Sequence, residues 1–346
     1  MSEGINVNGR LAFRNVLQGK NDGRPPFVPF IYGLAARTAS VSLRDMVMDA
    51  SYYTNALEGV YGLLGHDMIV GNFDTTLESE SFGCEVEWPG EYGAPTVAKG
   101  RGLSHLQAEE FMSRGRIPVV MEVTKRLTLS LGRDVAVACA LTGPCSFLEN
   151  AQGLPEDIHT GNKGEAIKLL GSFFTKLVRG LCELKVDALF FREDPLGRQF
   201  VEELFQSKDA YKALYGTLFN IVRAFNAFPV VVVKHLPLEA IKDVHGLLRP
   251  GSIVLLGEMF GDNDLAFIQE MANSLKLSFG VPLPIGTGTQ EELWNQLSAM
   301  ESFVSKRRPK NLFYTSDGEI PHDIPMEILR TLMIRLRAGS EQQVSV

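Results

Sequence analysis

Apolar positions along this chain follow two recurring patterns. Short continuous runs rich in Val, Ile and Phe alternate with longer stretches in which apolar residues return every three or four positions. The runs occupy residues 27–32, 67–73, 135–141, 188–192, 230–235, 253–257, 279–285 and 312–315. Continuous apolar runs, rather than strictly alternating ones, suit strands buried on both faces of a parallel sheet. The clearest helical stretch is 165–185, where Ile167, Leu170, Phe174, Leu177, Val178, Leu181 and Leu184 form one stripe. Residues 209–227, 238–248, 264–275, 291–306 and 327–337 have similar spacing.

Alternating strands and helices predict a parallel sheet. Eight such units predict an α/β fold of the closed (β/α)₈ TIM-barrel type, which needs ~250 residues. The chain has 346. The surplus is assigned to an extra amino-terminal segment and a long insertion after the second strand, residues 83–132. Residues 1–338 read as a single barrel and 339–346 as a flexible polar tail. An open doubly wound sheet is the alternative, but its usual G-x-G-x-x-G after the first strand is missing. Gly286-Thr287-Gly288-Thr289 matches that motif only in part, and such turns are usually plain loops.

Composition narrows the function classes. The net charge is -7, from 34 basic and 41 acidic residues, so a nucleic-acid-binding face is not expected. Four scattered cysteines, Cys84, Cys139, Cys145 and Cys182, form neither a disulfide framework nor a C-x-x-C pair. No window approaches the ~20 apolar residues of a membrane span. Residues 1–20 contain no long apolar stretch, so no signal peptide and a cytoplasmic location are expected.

In a barrel of this kind the site forms at the carboxyl ends of the strands. The residues there are Gly33 and Arg37; Asp74, Thr75 and Thr76; Thr142, Gly143, Pro144 and Cys145; Glu193 and Asp194; Lys234 and His235; Glu258; Gly286 and Thr287; Ser316, Asp317 and Glu319. His235 ends a run of valines, so its imidazole should point into the mouth as a ligand or acid/base, or else be a hydrogen-bonded core histidine. Asp74 reads either as a substrate-facing carboxylate or as an N-cap for a following helix. Glu193, Asp194 and Glu258 with His235 and Asp317 would make a mixed nitrogen and oxygen site, suited to zinc among other divalent metals, or else a solvated acidic rim. Phe30, Tyr32, Phe73, Phe147, Phe191, Met259 and Phe260 lie near strand ends and could line an apolar pocket or simply pack the core.

These strand ends resemble the uroporphyrinogen decarboxylase superfamily. The resemblance rests on Arg24-Pro25-Pro26-Phe27-Val28-Pro29, Phe73-Asp74, Gly83-Cys84-Glu85-Val86-Glu87-Trp88, Gly93-Ala94-Pro95-Thr96-Val97, Leu141-Thr142-Gly143-Pro144-Cys145-Ser146 and Thr315-Ser316-Asp317-Gly318-Glu319-Ile320-Pro321. It implies a (β/α)₈ barrel, and that Asp74 matches the family's catalytic aspartate. In the family's decarboxylases an arginine-rich segment grips the substrate's carboxylates; here only Arg37 stands there. The family's tyrosine and histidine positions hold Asn150 and Asp317. The thiol-methylating branch holds zinc by H-x-C and a second cysteine, where this chain has His235-Leu236-Pro237 and Asp317.

The best match is to methyltransferases that move a methyl group from a methoxylated aromatic to a corrinoid protein. That resemblance implies His235, Glu258 and Asp317 holding a metal, zinc among the candidates, or assisting the leaving oxygen. Asp74 and Glu193 would orient the substrate, with Arg37, Phe30, Tyr32, Phe147 and Met259 around it. The corrinoid would come from a partner protein, and a homodimer stays open. Decarboxylation of a tetrapyrrole is the alternative activity.

Overall fold

The computed structural model describes residues 8–99, 108–150, 163–193, 197–257 and 259–341. Eight parallel strands form one sheet: β1 (Phe27–Phe30), β2 (Met68–Val70), β5 (Ala136–Thr142), β6 (Ala188–Glu193), β7 (Phe228–Lys234), β8 (Ser252–Leu256), β9 (Ser278–Leu283) and β10 (Leu312–Glu319). Their order is β1-β10-β9-β8-β7-β6-β5-β2. Each predicted run overlaps one of these strands. The antiparallel hairpin β3 (Glu85–Glu87) and β4 (Thr96–Lys99) lies in the insertion.

The ends of the sheet meet at β1 and β2, and Asp67 closes that seam. Its backbone N–H donates to the Phe27 carbonyl at 3.1 Å, while its Oδ2 accepts the Phe27 N–H at 2.7 Å. Arg24 grips both Asp67 oxygens at 2.8 Å. The result is a nearly closed TIM barrel.

Alternation along each strand separates two cores. Val28, Phe30, Ala138, Phe190, Val232 and Phe313 point into the barrel. Leu189, Phe191, Val231 and Tyr314 point outward against the helices. Ala136, Ala138, Ala140 and Ala188 on β5 and β6 are small, which leaves room for Phe30, Phe73 and Phe190 within the close-packed interior.

The amino-terminal segment has a definite job. Its helix Gly9–Leu17 starts at Asn8, whose side chain accepts the Leu11 N–H. Phe13, Val16 and Leu17, on one face, join the barrel interior. Arg10 and Arg14 bind Asp187 at 2.9 and 3.0 Å. This helix plugs the amino-terminal end of the barrel, so the open end is the one where the strands finish. The final helix, Met326–Glu341, runs past the predicted boundary at residue 338; residues 342–346 lie outside the described residues.

β2 stops short of its neighbour, and a side chain takes its place. Gly71 N–H donates to Ala138 O and Ala140 N–H to Asn72 O. One step further, the fully buried Glu78 accepts from Thr142 N–H at 3.1 Å and Oγ1 at 2.6 Å. Burial pushes its carboxyl from 4.5 up to about 7. Between those values the folded state holds a proton that the unfolded state has lost, so rising pH erodes stability there. Glu78→Gln preserves an acceptor for Thr142 N–H and a donor for Oγ1. It is expected to match the wild type in urea unfolding at pH 4 and to exceed it by about 2–3 kcal/mol at pH 8.

Candidate active site at the barrel mouth

The mouth has an aromatic floor. Phe30 stacks on Phe73 with ring centroids 4.2 Å apart and planes 12° from parallel, and Phe190 meets Phe30 edge-on. Arg192 follows Ala188 and Phe190 on the inward face of β6. Its guanidinium lies 4.0 Å from the Phe73 ring centroid, and its Nη1 donates to the Phe73 carbonyl at 2.9 Å. Lys234 has the parity of the inward-facing Val230 and Val232 on the adjacent β7.

Asp74 sits beside this floor, deeply buried in a polar network. Its Oδ1 accepts Thr76 N–H and Oγ1 at 2.6 and 2.8 Å. Its Oδ2 accepts the Tyr32 hydroxyl at 2.8 Å and pairs with Arg116 Nη1. Arg116 also binds Glu80 at 2.7 Å and Thr76 Oγ1 at 2.8 Å, and stacks on Trp88 of the hairpin. Burial opposes the Arg116 charge, yet Asp74, Tyr32 and Glu80 outweigh it and raise the pKa further. Burial, then Asp74, drives Tyr32 well above its usual value. Both readings of Asp74 are partly visible: it caps the turn at Thr76 and borders the mouth, with each oxygen already engaged by two donors.

The insertion supplies more than Arg116. Its hairpin turn passes over the first strand's end, where Glu91 O accepts the Leu43 N–H at 2.8 Å. Tyr92 O sits so close to Gly33 that a Cβ there would be 2.3 Å away, so glycine is required.

Glu319 was flagged by the sequence only as one of several strand-end residues. It pairs with Phe30 beyond a register shift at which β10 carries the extra residues, and its Oε1 accepts the Gly33 N–H at 2.8 Å. Burial raises its pKa; the Gly33 N–H and Arg192 pull it down and Asp74 pushes it up, with a net rise. It is thus a mostly buried carboxyl at the mouth whose surroundings favour the protonated form.

Around the rest of the rim the expected residues divide. His235 has a left-handed backbone, φ 53°, and donates its N–H to Leu256 O at 2.8 Å. Its imidazole lies against Gly257, where a Cβ would come within 2.6 Å of Cε1. A cavity of about 190 Å³ opens beside it, lined by Gly257, exposed Met259, Pro284, Thr287 and Asp317. Asp317 accepts from Gly286 N–H, Thr287 N–H and Thr287 Oγ1, which makes the Gly286–Thr289 segment a clasped loop leading into helix Gln290–Arg307.

Two assignments need correction. Glu193 shares the outward parity of Leu189 and Phe191. Its carboxylate accepts Ser146 N–H and Oγ at 2.9 Å each and the Tyr215 hydroxyl, in the layer between barrel and helices. A Cβ on Gly143 would overlap it. Phe147 is likewise buried outside the barrel, against Phe82, Phe173 and Phe174. Neither reaches the mouth. Arg37 stands on the exposed rim and donates to the His322 carbonyl at 2.8 Å.

The zinc expectation can be weighed by its donors. Glu258 lies outside the described residues. Asp317 already receives three hydrogen bonds, so ligating a metal would break contacts that hold the loop. Among the described residues no three His, Cys, Asp or Glu side chains are grouped to hold a metal. The four cysteines are buried, with the Cys182 thiol pushed up to about 12 by burial and Cys139 beyond that. The described donors do not fit zinc.

The family "Uroporphyrinogen decarboxylase (URO-D)" matches residues 10–155, which span β1 to β5 and include Asp74 and Arg116. The resemblance to the uroporphyrinogen decarboxylase superfamily holds. No curated protein matches the chain. Among solved structures, a methyltransferase from Methanosarcina mazei superposes with a TM-score of 0.74 at 12% identity, covering 96% of this chain and 98% of that one. A B12-independent methionine synthase from Shewanella sp. W3-18-1 gives a TM-score of 0.52 at 15% identity, covering 84% of this chain and 87% of that one. At these identities the likenesses establish the barrel. Within the matched residues Arg37 turns to the rim and Asp74 is paired with Arg116.

Proposed function

We propose that the chain is a methyltransferase that removes the methyl group of a methoxylated aromatic and passes it to the corrinoid cobalt of a partner protein. The observation that carries this reading is the meeting, at one mouth, of an apolar aromatic floor with a mostly buried carboxyl whose pKa is raised. Phe30 and Phe73 are buried beneath the opening, and an aryl ring would be seated above that floor. Breaking the methyl–oxygen bond leaves the electron pair on the aryl oxygen, and Glu319 supplies the proton that turns it into a phenol. The reduced cobalt provides the electron pair for the new bond to the methyl carbon. Likeness in fold to a methyltransferase over nearly the whole chain supports the assignment.

His235, against Gly257 at the opposite rim, is proposed to position the substrate or the docking corrinoid domain. Asp74, held by Arg116, is proposed to fix Tyr32 and the wall of the site rather than to move a proton. Uroporphyrinogen decarboxylation is the weaker reading, because the guanidinium groups needed to grip many carboxylates are not gathered at the first strand.

The test is to incubate the protein with methoxybenzenes and methoxybenzoates and a reduced corrinoid, and to measure the phenol formed alongside the corrinoid spectrum. Stoichiometric phenol and methylated corrinoid are expected; His235→Ala should lower the rate about tenfold through positioning. Coproporphyrinogen appearing from uroporphyrinogen, with no phenol from any ether, would overturn the reading.

A further inference from the structure

The end of the barrel opposite the mouth has a charge of its own. The eight loops that lead from a helix into a barrel strand lie there, alongside the plug helix. Among the described residues these loops expose seven cations against two carboxylates, Asp22 and Asp134, on a chain whose net charge is -7. Four of the cations stand where a helix ends in a left-handed turn: Lys185, Arg249, Lys276 and Arg308 have φ between 46° and 65°. Glycine holds such a bend without a crowded Cβ, as Gly65 does after its own helix. Long cations are used instead, three of them on the loops that feed the neighbouring strands β8, β9 and β10. Lys20, Arg133 and Lys310 complete the set, with Lys310 paired to Asp22 at 2.8 Å. Cations complement the carboxyl ends of helices. That accounts for the charge at each helix end, but not for the side chains that stand between them.

Those neighbours are apolar and exposed. Leu11, Leu63, Leu129 and Phe225 are exposed by 39–76%. Leu63, Leu129 and Phe225 stand where their helices finish at this end. Leu11 is on the outer side of the plug helix, away from the buried Phe13, Val16 and Leu17. The plug ties the patch together. Arg10 Nη1 donates to Gly132 O at 2.7 Å and Asn8 Nδ2 to Arg133 O at 2.8 Å, while Arg14 reaches Asn226 O at 3.3 Å. Leu11 thus lies between Leu129 and Arg133 on one side and Phe225 on the other.

Exposed Leu and Phe interspersed with Lys and Arg suit an anionic lipid surface. The cations meet the headgroup phosphates, and the apolar tips reach the acyl boundary. A single strand of nucleic acid would ask for cations aligned along a groove with aromatic rings between them. Here they are spread loop by loop around the barrel end, and three of the four apolar residues are leucines. No helix among the described residues is long and apolar enough to cross a membrane, which fits contact at the surface alone.

We propose that the end of the barrel opposite the mouth docks on an anionic membrane surface. Arg249, Lys276 and Arg308 face the headgroups, and Leu11, Leu129 and Phe225 enter between them. Docking there leaves the mouth open and is independent of the reaction at the mouth.

Co-sedimentation of the full chain with phosphatidylcholine vesicles, with and without an equal share of phosphatidylglycerol, tests it. The wild type is expected to bind the mixed vesicles at least tenfold more tightly than the neutral ones, and added salt should weaken that preference. Arg249→Gly, Lys276→Gly and Arg308→Gly together suit their left-handed turns, so the thermal midpoint should stay near the wild type's. Affinity for the mixed vesicles should fall about 10²-fold, roughly fivefold per cation. Leu11→Ser with Phe225→Ser, both at exposed positions, should cost about tenfold more. A wild type indifferent to phosphatidylglycerol, or a folded triple-glycine variant that binds like the wild type, would overturn the proposal. Binding to polyuridylate or polyglutamate with none to either vesicle would overturn it as well, and assign the cations to a nucleic acid or an acidic protein.

Discussion

Arg116→Met is expected to destabilise the protein by about 3–5 kcal/mol, the loss seen when one member of a buried ion pair is removed. Arg116 is 1% exposed and its Asp74 partner 2%. The substitution would leave a buried carboxylate at Asp74 with Tyr32 and Thr76 as its remaining donors, and Glu80 without its 2.7 Å contact. Urea unfolding at pH 7 measures the loss. Combining Arg116→Met with Asp74→Asn removes the stranded charge and should recover at least half of it. No recovery in the double variant would mean that Arg116 acts mainly by stacking on Trp88 and anchoring the insertion. The salt sensitivity should be small, since ions in solution screen a buried pair poorly.

That network shows where the sequence stops being readable. Asp74 stood out because an acidic residue directly follows an apolar run. Arg116 gave no comparable signal: it lies 42 positions away, inside an insertion without a simple pattern. The eight strands were legible because burial on both faces forces continuous apolar runs. The same continuity hides which residues face inward, and a shift of one position exchanges the faces. On β6 the sequence reading chose Glu193, the residue after the run. The inward positions are Ala188, Phe190 and Arg192, so the mouth receives Arg192 and the helices receive Glu193. Phe147 failed for a related reason, since position near a strand end does not say which side of the barrel a helix residue packs on. The plug helix Gly9–Leu17 was readable in principle from Asn8 as its cap and from Phe13, Val16 and Leu17 at helical spacing.

Glu319→Gln is expected to slow methyl transfer about 10²–10³-fold, within the range that a positioned proton donor contributes. The glutamine oxygen can still accept the Gly33 N–H, so the β1–β10 junction should keep its geometry. What the amide cannot do is release a proton to the departing aryl oxygen. The loss should therefore fall on kcat, with substrate binding by calorimetry unchanged. Because burial and Asp74 raise the Glu319 pKa, the wild-type rate should decline as pH rises through that elevated value and the acid form is depleted. The glutamine variant should show no such decline. Stability gives an independent control. A carboxyl whose folded pKa is raised weakens the fold as pH rises past its unfolded value, so Glu319→Gln should be at least as stable as the wild type at pH 8. A stable variant with unchanged turnover and the same alkaline decline would exclude Glu319 as the proton donor.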